Sequence, residues 1–155
     1  FTQPGDSVIA VGVLVIGVAV ARVIGLMGLS TLDSWPGATR AGLAIMLLFT
    51  SSAHFNAMKS DLVRMVPRWI PRPRAVIHFT GLCEILGSIG ILFPATRTFA
   101  AIALIAFFLA VFPANVRADR EHLTLRGKPA TPLWLRAPMQ ILFIFLTWWS
   151  GIARA

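Results

Sequence analysis

The chain has 155 residues, of which 57% are hydrophobic and only 13% charged, with a mean hydropathy of +0.78. A soluble domain carries roughly 25% charged residues, so the composition excludes a separate soluble domain and predicts a single all-α integral membrane bundle. In a soluble chain the net charge of +8 would point to nucleic acid. Here the basic residues collect beside apolar runs, so the partner they imply is the lipid bilayer and its anionic headgroups, with no nucleic acid.

Five apolar runs follow one another, at about 7–29, 39–58, 75–93, 98–116 and 132–152. Each approaches the roughly 20 residues that a spanning helix needs. The first lacks a basic n-region and a small-residue cleavage site, and is read as a span rather than a signal peptide. Gly17, Ala21 and Gly25 share one of its faces, and Ala106, Ala110 and Ala114 share a face of the fourth run. In lipid such stripes let helix backbones approach closely. The connector after the second run alternates Leu62, Met65, Val66, Trp69 and Ile70 with Arg64, Arg68 and Arg72, a pattern suited to a short amphipathic segment lying in the interface. Pro67, Pro71 and Pro73 bar a long regular helix there. The connector Pro94-Ala95-Thr96-Arg97 is so short that the third and fourth runs must form an antiparallel hairpin.

With five spans, the second and fourth connectors share a side with the N-terminus. They carry Lys59, Arg64, Arg68, Arg72, Arg74, Arg117, Arg120, Arg126 and Lys128, against Arg40, Arg97 and Arg154 on the other side. The positive-inside rule then predicts a cytoplasmic N-terminus and an external C-terminus. Trp69 and Trp134 mark the inner interface, and Trp35 with Trp148 and Trp149 the outer one.

Glu84 is the only acid inside an apolar run; Asp6, Asp33, Asp61, Asp119 and Glu121 all fall between runs. A carboxylate at that depth costs at least a few kcal/mol unless it is paired, protonated or wetted. At about 1.5 Å per residue, Glu84 lies roughly 13 Å into the third span, and His78 one turn in from the same side. His54, Asn115, Arg136 and Gln140 enter from that side on the other spans. The expectation is a polar pocket between spans two to five, open toward the cytoplasm, built from Glu84, His54, Arg136, Asn115, Gln140 and His78. Thr80, Glu84 and Ser88 share a face at i, i+4 spacing, with Gly81 and Gly87 beside it. Arg136 is the first expected partner of Glu84, Arg22 the second and His54 the third.

Each residue also has a plainer role. Glu84 with an arginine serves as a clamp between helices, His54 as a hydrogen-bonding group of the bundle, and His78 as a headgroup residue. Asn115 after Pro113 caps a helix end, and Arg22 snorkels outward. Cys83 is the single cysteine, so no internal disulfide or CxxC pair exists, and it reads as a small apolar side chain. His54 and His78 lack the second matched pair or the binding motif that would argue for haem. No GxSxG, HExxH or Walker loop is present, so no catalytic residue is assigned and no metal site is expected.

From the second run onward the order of motifs resembles the DoxX-like membrane protein family. The resemblance rests on Ala53-His54-Phe55, on Met65-Val66-Pro67-Arg68-Trp69-Ile70-Pro71-Arg72-Pro73, and on Thr80-Gly81-Leu82-Cys83-Glu84-Ile85-Leu86-Gly87. Pro94-Ala95-Thr96-Arg97, Phe112-Pro113-Ala114-Asn115 and Leu135-Arg136-Ala137-Pro138-Met139-Gln140 complete it. It implies a four-helix bundle of the plasma membrane over 39–155, with 1–38 an additional N-terminal transmembrane helix and its connector. The family takes its name from a membrane subunit of a thiosulfate:quinone oxidoreductase, and other members associate with redox or oxidative-stress proteins. Its His, Glu, Asn and Arg positions fall on His54, Glu84, Asn115 and Arg136. The resemblance implies a small accessory or membrane subunit of a redox assembly with a protein partner, holding a quinone near Glu84. The alternative is a non-catalytic scaffold or assembly factor with a structural Glu–Arg clamp.

Overall fold

The computed structural model describes residues 6–154, most of them helical. Helix α1 runs Asp6–Leu26 and ends before Gly28, whose φ of 117° turns the chain. Helix α2, Trp35–Ser51, starts four residues earlier than the apolar run because Ser34 caps it, accepting the Gly37 N–H at 3.1 Å, while Pro36 occupies the first turn. The boundary expected at 38/39 therefore falls inside α2. A 3₁₀ turn, Ser52–His54, leads to the short α3, Lys59–Met65, bent by 92° from α2.

Helix α4, Pro73–Gly90, begins where Pro73 fixes the first helical φ. Helix α5, Arg97–Arg120, passes through Pro113 and outlasts its apolar run by a turn. The segment beyond it departs from an all-α reading. β1, Thr124–Leu125, pairs antiparallel with β2, Lys128–Pro129. The two residues between them, Arg126 and Gly127, have φ of 52° and 73°, the positive angles that a type I′ hairpin turn requires. Helix α6, Leu133–Trp148, continues into a π-helical turn, Trp149–Ala153. Arg40 is buried against that turn and donates to the Ser150 carbonyl at 2.6 Å, satisfying an acceptor that a helix end leaves open.

Side chains are distributed inside out relative to a soluble bundle. Val15, Ile16 and Val20 of α1 and Phe99, Ile102 and Leu109 of α5 are exposed, while Glu84, Ser88, Arg136, Gln140, Thr147 and Ser150 are buried. Exposed apolar surface around a partly polar interior suits hydrocarbon as the solvent. Val8–Leu26 and Arg97–Arg120 are long and apolar enough to cross a membrane, and the bent pair Trp35–His54 with Lys59–Met65 makes a third if it counts as one span.

Packing separates the two small-residue stripes. On α1, Ala10, Leu14, Gly17, Ala21 and Gly25 are all buried, and a Cβ on Gly17 would lie 3.1 Å from the Gly42 Cα of α2. Gly17 is thus a helix–helix contact, while Gly25 is pressed against the Leu32–Asp33 backbone of the following turn. On α5, Ala106 and Ala110 are exposed and Ala114 half-buried, and the three line a cavity instead. Leu14, Leu43, Leu47, Ile91, Leu104 and Phe108 join the helices in the main core.

At the basic end a second cluster, Met65, Ala118 and Leu125, joins α3 and the hairpin to α5. Acids outside the apolar runs tie this cap together. Asp61 accepts from Arg64 at 2.5 Å and from the Arg126 backbone N–H at 2.8 Å. Glu121 receives Arg117 at 3.1 Å and Arg68 at 3.6 Å, and Arg117 also donates to the Val66 carbonyl. Asp119 accepts the Leu133 N–H at 2.8 Å, filling a donor site at the start of α6 that Pro132 cannot cap.

Candidate functional site

Glu84 projects from the middle of α4 and is 8% exposed; His54, at the end of the 3₁₀ turn after α2, is 9% exposed. His54 Nε2 lies 3.6 Å from Glu84 Oε1. The approach is enforced by Gly81, one turn before Glu84: a Cβ there would lie 2.7 Å from the His54 Cβ and 2.9 Å from the Phe55 ring. Thr50 completes the carboxylate's surroundings. Its hydroxyl lies 3.0 Å from Glu84 Oε2 and 3.1 Å from the Leu47 carbonyl, one proton facing two acceptors.

The imidazole's tautomer follows from its other neighbour. His54 Nδ1 is 2.8 Å from the Ile77 carbonyl oxygen, which can only accept, so Nδ1 carries the proton. Nε2 is then the nitrogen whose protonation varies, and it faces the carboxyl. One proton shared between Nε2 and the carboxyl would make the pair neutral overall in either arrangement, imidazolium with carboxylate or imidazole with carboxylic acid. This keeps the burial of two ionisable groups affordable in a low-dielectric site.

Behind Glu84, Asn115, Gln140 and Arg136 form a second polar group. Asn115 Nδ2 donates to Gln140 Oε1 at 2.9 Å, Arg136 Nη1 donates to Asn115 Oδ1 at 3.0 Å, and Gln140 Nε2 donates to the Phe108 carbonyl. Asn115 lies inside α5 and caps nothing; its role is pocket lining. It stands two residues after Pro113, whose missing N–H loosens the ladder in this turn.

Two cavities meet at these residues. A small one of about 140 Å³ has a mainly apolar wall that includes Met46, Phe107 and Phe143, with Thr50, Glu84, Asn115, Arg136 and Gln140 among its lining, and it is large enough for water. A larger one of about 640 Å³ lies between α3, α4 and α5, with His54, Thr80, Glu84 and Asn115 on its wall and Met65, Trp69 and Ile70 at the interfacial end. Its size falls in the roughly 300–1,000 Å³ range of small-molecule sites, which pair an apolar lining with few polar groups. Glu84 and Asn115 border both.

The structure thus brings together Glu84, His54, Asn115, Arg136 and Gln140. It leaves out His78, which is exposed and stacks on Phe55 with ring centroids 6.0 Å apart. Of the expected partners of Glu84, His54, ranked third, stands at ion-pair distance. Arg22, ranked second, is engaged elsewhere: its guanidinium reaches Asp33 at 3.5 Å and lies 5.0 Å from the Trp35 ring centroid. Arg136 shares the small cavity with Glu84 and binds Asn115. Thr50 was missed, although its i, i+4 spacing to His54 was a readable signal. Among the described residues no cluster of three or more His, Cys, Asp or Glu could hold a metal ion.

The family model described as Domain of unknown function (DUF8561) matches residues 43–151, and the chain belongs to that family. The match covers α4, α5 and α6 with most of α2, and therefore every residue of the polar site, while α1 lies outside it. No curated protein matches the chain, and no solved structure does.

Proposed function

We propose that this DUF8561 protein is a five-span plasma-membrane protein of the DoxX-like type, its N-terminus cytoplasmic and its C-terminus outside. In this reading it is a small accessory subunit of a redox assembly whose larger cavity holds a quinone. The observation that carries the reading is the buried His54–Glu84 pair on the wall of a 640 Å³ apolar cavity. A quinone carbonyl accepts hydrogen bonds, and Nε2–H of His54 is a donor whose proton the carboxyl can replace. Reduction to the quinol takes two electrons and two protons. The electrons would come from a redox partner protein, and the protons from the His54–Glu84 pair, resupplied through the small cavity behind it. The clustering of Arg64, Arg117 and the hairpin at one end supports the orientation.

Purified protein extracted with organic solvent should release a quinone whose ultraviolet spectrum changes on borohydride reduction. A quinone-free preparation that also binds no added tailed quinone would refute the reading.

A second reading is favoured by the clamp itself. His54 and Glu84 tie the end of α2 to α4 across the close approach at Gly81, as a scaffold or assembly factor would need. Cross-linking in native membranes then recovers a stoichiometric partner, and Glu84→Gln lowers that yield without altering turnover.

A further inference from the structure

The 640 Å³ cavity does not end at Glu84. A further cavity of about 340 Å³ continues along α4 and α5 toward Thr96 and shares Cys83, Ala103 and Phe107 with the first. From Val76 in one to Gly90 in the other, the wall of α4 extends about 21 Å at about 1.5 Å per residue. The space exists because the facing residues of α5 are small, Ala103, Ala106, Ala110 and Ala114, while Gly87 and Gly90 let α4 press against Leu104 and Ala100 of α5 at its floor.

Polarity is confined to one end. His54, Thr80, Glu84 and Asn115 lie on the inner stretch. In the far stretch the one hydroxyl is Thr96, and its proton has an acceptor in the Gly90 carbonyl at 2.8 Å. An occupant therefore finds hydrogen bonds for a single polar head and only apolar contact beyond it. Water is a poor occupant of such a space, since it needs two to four polar partners.

We infer that the two cavities form one groove along α4 and α5, which binds a single extended hydrocarbon chain, prenyl or acyl, with its polar head at His54 and Glu84. The inference rests on the proposed quinone reading only for the identity of the head. It adds that the tail supplies much of the binding and that Ala103 marks the junction the tail must pass. A long chain lying in a preformed apolar slot gains transfer free energy with each methylene buried.

Cys83, the single cysteine, lies on the wall of both cavities and reports occupancy. The test follows its alkylation by N-ethylmaleimide in detergent-purified protein, read by intact mass. Three probes are compared: a benzoquinone without a tail, the same head with a decyl tail, and oleyl alcohol. The inference expects both tailed probes to slow alkylation several-fold and the tail-less quinone to leave it unchanged. Ala103→Phe, at an exposed position where the larger ring does not disturb the core, should abolish the protection. As a second readout, a tail ending in a diazirine should photolabel the peptide around Phe99 at the far end.

Protection by oleyl alcohol but not by the tailed quinone keeps the groove and removes the quinone reading. Tail-less quinone that binds in equilibrium dialysis, with no tailed probe protecting Cys83 or labelling the Phe99 peptide, keeps the quinone reading and overturns the groove. Protection that rises with protein concentration and ignores all three probes assigns the space to a second copy of the chain, and likewise overturns it.

Discussion

Replacing the two members of the buried pair singly and together gives the sharpest test of the site. At 3.6 Å, a carboxylate and an imidazolium attract by about 4.6 kcal/mol at an effective dielectric of about 20. Desolvating each ion costs several kcal/mol, so the intact pair contributes little net stability, while either member left alone keeps its cost. His54→Gln leaves Glu84 with Thr50 as its close hydroxyl partner, and should destabilise by about 3 kcal/mol. Glu84→Gln is milder, at about 1–2 kcal/mol, because His54 can shed its variable proton and the amide can still accept from Thr50. The double variant should cost about 2 kcal/mol, well short of the sum, giving a coupling within the roughly 0.5–3 kcal/mol seen for contacting residues. The assay is reversible unfolding in mixed detergent micelles, followed by far-ultraviolet circular dichroism. Single effects that add to within about 0.5 kcal/mol would show that the two side chains do not share a proton.

Three further expectations bear on the frame around the site. Gly81→Ala drives a methyl group into His54 and Phe55; it should cost about 1–3 kcal/mol as overpacking and loosen any quinone binding, whereas Gly12→Ala, with open space at its Cβ position, should change neither. Asp119→Ala removes the acceptor of the Leu133 N–H and should cost about 1 kcal/mol, as loss of a helix cap does, with faster amide exchange in the first turn of α6. Hydrogen bonds from the Arg126 N–H and Arg64 hold the Asp61 carboxyl below its usual range, and Arg117 does the same for Glu121. A carboxyl depressed on folding stabilises above its ordinary range and loses that contribution as pH falls through the depressed value. The basic-end cap should therefore open to proteolysis at 59–72 and 124–130 on acidification while the apolar helices persist. Unchanged cleavage at acid pH counts against these carboxylates holding the cap.

Much of this arrangement was legible before any coordinates. Glu84 stood out because a lone acid in an apolar run demands compensation, and depth at a fixed rise per residue collected His54, Asn115, Arg136 and Gln140 at the same level. Helical rise fixes height but leaves azimuth open, which bears on His78 and Arg22. His78 has the right height but is exposed with its ring against Phe55, and Arg22 reaches back to Asp33 and Trp35 at its own helix end. That His54 comes within ion-pair distance of Glu84 was likewise beyond reach of spacing rules. It depends on how closely the end of α2 approaches α4, which the missing side chain of Gly81 sets.

The sequence by itself determined the helical class, the apolar exterior and the cost of Glu84, because these depend on composition and on a fixed helical period. It also marked two small-residue stripes without distinguishing them. Only the tertiary structure decided that Gly17 closes against Gly42 of α2 and Gly25 against the Leu32–Asp33 backbone, while Ala106, Ala110 and Ala114 stay open. A small residue permits either a close backbone contact or an empty groove, and the difference lies wholly in whether a neighbouring helix fills the space.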